Sequence, residues 1–82
     1  MEMQIGSVVC ALAGRDKQGF FAVVSLTPLL IADGKSRKLE RPKRKNPLHL
    51  RPTKTVLDGA AMATNKQLRL ALTPFNHSKR EV

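Results

Sequence analysis

Between Lys35 and Lys54 the chain carries nine basic residues, Lys35, Arg37, Lys38, Arg41, Lys43, Arg44, Lys45, Arg51 and Lys54, against the single acid Glu40. A run with this net charge of +8 cannot be buried, because an unpaired cation taken out of water loses more hydration than packing returns. Its middle stretch, RPKRKNP, is bracketed by Pro42 and Pro47, so it cannot be a helix interior and has no apolar residue to bury. The reading is an exposed, extended basic loop. The rest of the 82-residue chain holds six bases and five acids, so nearly all of the net +9 is concentrated here. Such a cluster attracts polyanions, since phosphates replace the counterions otherwise held near the cations. A merely solvated loop is the plainer alternative. A membrane surface fits less well, because the run lacks an apolar helical face to sink among headgroups.

The scaffold has to be thin, since a chain this short buries only about 60–65% of the surface it exposes when unfolded. Cys10, inside the apolar run VVCALA, is the only cysteine, which excludes a disulfide framework and reads as a small core residue in a reducing compartment. The opening MEMQIG has an acid where a secretory signal places a base. No apolar run approaches the roughly 18 residues of a spanning helix, and the expected location is the cytoplasm.

Short strands separated by turn residues dominate the first half. Ile5 to Ala13 places Val8, Cys10 and Leu12 on one side and Ser7, Val9 and Ala11 on the other, a strand buried on both faces. Phe20 to Leu26 alternates Phe20, Ala22, Val24 and Leu26 with Phe21, Val23 and Ser25, and Thr27-Pro28 then supplies a turn into LLIA, which stops at Asp33-Gly34. Beyond Gly34, KSRKLERPK reads as a strand with Leu39 turned inward, ended by Pro42. LHLRP is a candidate closing strand. Closely spaced short strands of this kind make a small barrel.

The pattern changes from Thr53. Thr64 is a candidate N-cap, Leu68, Ala71 and Leu72 form a narrow apolar stripe at i, i+3 and i+4, and Pro74 ends the helix. This gives a barrel over residues 4–56 with its basic loop at 35–54, a C-terminal extension over 57–74 whose short helix covers one open end, and a flexible tail over 75–82.

IGSVVCALAGRDKQGFFAVV resembles a KOW motif, the strand-loop-strand element of translation and transcription proteins. LIADGKSRKLERPKRKNPLHL is similar to the bacterial small KOW-domain RNA-binding proteins related to a eukaryote-type large-subunit ribosomal protein. Together the two segments span Ile5 to about Pro52. The resemblance implies a small SH3-like barrel that binds RNA, ribosomal RNA above all, with the KOW loop and the basic segment facing the nucleic acid. One departure stands out: the family pattern GRDKG places glycine directly after the lysine, where this chain has Gln18 and then Gly19.

Within that frame Gly14 and Gly19 supply positive φ and let a sugar-phosphate backbone come close. Arg15 and Lys17 bond phosphates, and Asp16 orients Arg15 or caps loop amides. Arg37, Arg41 and Arg51, within or beside strands, aim guanidinium groups at phosphate oxygens, while Lys43, Arg44 and Lys45 provide a looser electrostatic grip completed by Lys35, Lys38 and Lys54. His49 is a polar strand residue or an RNA contact. With no Trp or Tyr, and with Phe20 and Phe21 on opposite faces of one strand, base stacking is limited, which favours phosphates and the shape of structured RNA.

Catalysis is not expected. His49 and His77 have no second ligand at zinc spacing, the acids are scattered without a partner base, and no GxxxxGK[ST] loop is present, so neither metal nor cofactor is expected. The alternative from another class is a protein-interaction adaptor that docks on the transcription or translation machinery through the barrel edge or the helix. Duplex DNA is a third reading, because phosphates do not identify the sugar.

Overall fold

The computed structural model describes residues 3–14 and 17–80, the last four by backbone alone. Five strands, β1 (Ser7–Ala11), β2 (Phe20–Leu26), β3 (Leu29–Ala32), β4 (Lys43–Arg44) and β5 (Leu50–Val56), form one antiparallel sheet in the order β4-β3-β2-β1-β5. A single helix, α1 (Asn65–Arg80), follows. The protein is thus mainly β with one C-terminal helix. β2 and β3 fall where the alternation predicts, and β1 is a trimmed version of the expected strand.

Strand alternation divides the apolar residues between two cores. On one face, Val8 lies opposite Ala22 and Ala22 opposite Ala32, and α1 sets Leu68 and Leu72 on them. On the other face, Val9 pairs with Phe21 and Val23 with Ile31, joined by Leu29 and Leu50. Among the described residues none of α1 belongs to this second core, yet Val9, Val23, Ile31 and Leu50 are fully buried. Curvature seals it. Register shifts between Ser7 and Val9 and between Val23 and Ser25 bend the sheet. Lys45 then joins two distant strand ends, its amide donating to the Leu29 carbonyl at 3.2 Å and its Nζ to the Ala13 carbonyl at 3.1 Å. Each of these buried aliphatic side chains contributes about 1.5–3 kcal/mol. Among the described residues no strand pair joins β4 to β5, so the sheet has two open rims.

Residues 35–41 are not a strand. Asp33 Oδ1 accepts from the amides of Lys35 (2.9 Å) and Arg37 (2.8 Å), and Oδ2 from the Ser36 hydroxyl (3.1 Å). The Arg37 carbonyl in turn accepts from the amides of Asp33 and Gly34. With the Lys35 and Arg37 amides held by the Asp33 side chain, the segment curls on itself and does not extend as a strand. Leu39 still packs inward, against the helix side of the sheet. The edge strand lies instead at Lys43–Arg44, inside the stretch expected to be loop, with Arg44 opposite Leu30 and Lys43 opposite Ile31. It is short because Pro42 precedes it and Asn46 follows. Asn46 accepts the Leu48 amide at 2.9 Å and opens a 3₁₀ turn over Pro47–His49.

Thr64 caps α1 as its position predicts, its Oγ1 accepting the Gln67 amide at 3.1 Å. The helix lies across a face of the sheet, not over an open end, because Leu68 and Leu72 meet the Val8, Ala22 and Ala32 row. Nor does it end at Pro74, so no helix boundary separates 57–74 from the following residues. An interior proline costs about 3 kcal/mol in an isolated helix, but here the chain beyond it is anchored. Asn76 Oδ1 accepts the Phe20 amide at 3.0 Å, and the Phe75 ring lies 5.5 Å from that of Phe20. Among the described residues no helix is long and apolar enough to cross a membrane.

Candidate nucleic-acid interface

The loop between β1 and β2 is closed at its base by the end of β1. The Ala11 amide donates to Gly19 O (2.9 Å), the Gln18 amide to Ala11 O (2.7 Å) and the Lys17 amide to Gly14 O (3.2 Å). Among the described residues of the loop, two positions are left-handed: Gly14 at φ 84° and Gln18 at φ 71°. Sequence reasoning assigned the second to Gly19, one residue later. The turn demands this backbone directly after Lys17, which is where the GRDKG pattern carries glycine; a side chain there bears about 1–2 kcal/mol of steric strain. Arg15 and Asp16 lie outside the described residues.

The end of β1 also collects residues from the basic segment. Lys45 Nζ bonds the Ala13 carbonyl and sits so near Gly14 that a Cβ there would approach it to 3.1 Å. The Leu12 amide donates to His49 O at 2.8 Å, and Arg51 pairs with Cys10. Gly14, Lys17, Gly19, Lys45, His49 and Arg51 are therefore neighbours, with Lys17, His49 and Arg51 exposed. Lys45 is half-buried and its amine already has an acceptor, which makes it a link between the two segments more than a grip on a ligand. Lys43 and Arg44 are exposed on the β4 rim. Lys54 is exposed three residues beyond Arg51, about 10 Å further along β5.

Lys35, Arg37, Lys38 and Arg41 form a separate group beside the start of α1. Gly34, at φ 78°, is buried with the Asn65 carbonyl and the Arg69 amide against its α-carbon. Asn65 ties the loop down: Oδ1 accepts the Leu39 amide at 2.8 Å, and Nδ2 donates to Glu40 Oε1 at 2.6 Å. Lys35, Lys38 and Arg41 are exposed and Arg37 is half-buried. Here the fold adds two cations that sequence reasoning missed, Lys66 and Arg69, both exposed. The signal was their i, i+3 spacing on the side of the helix away from Leu68 and Leu72.

The acids of this half of the molecule are bound mainly to amides and hydroxyls. Asp33 closes its own loop, and Asp58 accepts the Ala61 amide at 2.9 Å. The Asn65 side-chain amide, helped by a backbone amide and by the charge of Lys38, holds the Glu40 carboxyl below the usual range, so it is ionised beside the cations. Among the described residues no three His, Cys, Asp or Glu side chains gather as metal ligands would. Comparison of the sequence with protein-family models and with curated proteins finds no match in either.

Proposed function

We propose that this protein is a non-catalytic RNA-binding module of the cytoplasm, a KOW-type SH3-like barrel that grips structured RNA through the β1–β2 loop and the basic segment. The observation that carries the reading is the meeting of Lys17, His49 and Arg51 at the end of β1, next to a loop whose backbone turns left-handed where the motif has glycine. The barrel reading draws support from the β1–β5 pairing, which brings the last strand back beside the first, and from a second core that has no helix residue among its described members. Ribosomal RNA is the ligand that the resemblance implies. Phosphates, not bases, are the expected contacts, because Phe21 is buried and the half-buried Phe20 and Phe75 rings pack on each other. The protein's part is positioning: its cations displace condensed counterions and its rigid backbone sets their spacing.

The test is the salt dependence of binding to a structured RNA after changing Lys17, Lys43 and Arg44 to Gln. Loss of three phosphate contacts lowers the logarithmic slope by about 2–3. An unchanged slope and affinity would sink the proposal. A second reading, the protein-interaction adaptor, is favoured by one feature. An open depression of about 510 Å³ lies between Leu26, Pro28 and Leu29 on one side and Arg44, Asn46 and Pro47 on the other. Next in sequence is Leu48, held 82% exposed on the 3₁₀ turn. Co-sedimentation with ribosomes that survives nuclease treatment would favour that reading, and release by nuclease would favour RNA.

A further inference from the structure

We infer that α1 carries a second phosphate-binding patch, made of Lys66 and Arg69 together with Lys35, Lys38 and Arg41, which binds a stretch of the same RNA apart from the one at the β1–β2 loop. This rests on the RNA-binding reading above and specifies the shape of its ligand. The five side chains are exposed, and they sit on two segments in direct contact, since Gly34 has the Asn65 carbonyl and the Arg69 amide against its α-carbon. Lys66 and Arg69 are three residues apart on the helix, while Leu68 and Leu72 face the sheet and fix which side looks outward. Two acids lie in the neighbourhood, and both carboxylates accept from groups other than the five cations' side chains: Asp33 from the Lys35 and Arg37 amides and the Ser36 hydroxyl, and Glu40 Oε1 from Asn65.

The two patches are held apart by the helix. Asn65 takes the Leu39 amide at one end, and Asn76 takes the amide of Phe20, where the β1–β2 loop ends, at the other. Eleven residues of helix separate these anchors, about 16 Å at 1.5 Å per residue. Because both anchors are side-chain hydrogen bonds to backbone amides, the spacing is built into the fold. A ligand that fills both patches must present two separate runs of phosphate. A duplex or a folded loop does so in its resting shape, whereas a single strand must give up conformational freedom to do it. The second patch therefore turns a general attraction for polyanions into a preference for structured RNA, by making the second contact intramolecular.

The experiment compares a 20-nucleotide RNA hairpin with an unstructured RNA of equal length, against the full chain and its Lys66→Gln/Arg69→Gln variant, over a range of salt. Expected are a tenfold or greater loss of hairpin affinity at 0.1 M salt, a logarithmic slope lower by about 1–2, and little change for the unstructured strand. The variant's helical circular dichroism and melting should match the parent's, since both side chains are exposed. Gln67→Ala, an exposed neutral change on the same helix, should change hairpin affinity less than threefold. Equal loss for both RNAs, or no loss for either, overturns the second patch while leaving the first in place. Parent protein that binds neither RNA removes the RNA-binding reading itself and the patch with it.

Discussion

The two loops that present the cations are held in opposite ways. The 33–41 segment is closed from within: Asp33 binds two amides and a hydroxyl fewer than five residues away, and Asn65 adds one tie from the helix. The start of the β1–β2 loop is held from without, by Lys45, thirty-two residues from Ala13 in sequence, and the loop then turns through a glutamine in a conformation that suits glycine. A loop closed by its own side chains is a fixed part of the fold. A loop latched by a residue of the basic segment shares its order with that segment, so the two halves of the proposed interface are set together.

The largest effect should come from the self-closed loop. Gly34→Ala puts a Cβ into the Asn65 carbonyl at a φ that L residues avoid, and should cost about 2–4 kcal/mol in urea denaturation. A loss below about 1 kcal/mol would show that this loop is softer than its bonding indicates. Lys45→Met removes the latch and keeps the aliphatic stem, with an expected cost of about 1 kcal/mol. Hydrogen exchange should speed up at the Lys17 and Gln18 amides and stay unchanged at Lys35 and Arg37; equal change in both loops would break the contrast. Gln18→Gly has the opposite sign, relieving the left-handed side chain for a gain of about 1 kcal/mol in the same denaturation assay. A loss there would mean that the Gln18 side chain does more for the loop than its backbone costs.

Much of the sheet was legible because alternation and turn chemistry agreed. Phe20 to Leu26 alternates, LLIA is a short apolar run, and Thr27-Pro28 and Asp33-Gly34 mark their ends. The KSRKLERPK stretch misleads for a physical reason: one inward leucine among charges imitates an edge strand, while the outcome is decided by a carboxylate at Asp33 that captures the amides first. Pro74 misleads because what keeps the helix going is tertiary, the Asn76 bond and the Phe75 ring on Phe20. Within the candidate site, the position of Lys45, His49 and Arg51 beside the β1–β2 loop follows from β5 pairing with β1, which no local pattern announces. Lys66 and Arg69 were hidden for the same reason, since only the fold brings the helix against Gly34.

The two unpaired margins of the sheet are defended. β4 is two residues long, both cationic and preceded by Pro42, while β5 contains Pro52, which has no donor to give, and exposes Lys54. An extended segment from another molecule would meet charge on one margin and a gap in the hydrogen-bond ladder on the other. The fold is consequently a poor template for fibrils, and a protein that docks here has to be recognised by side chains instead of main-chain zippering.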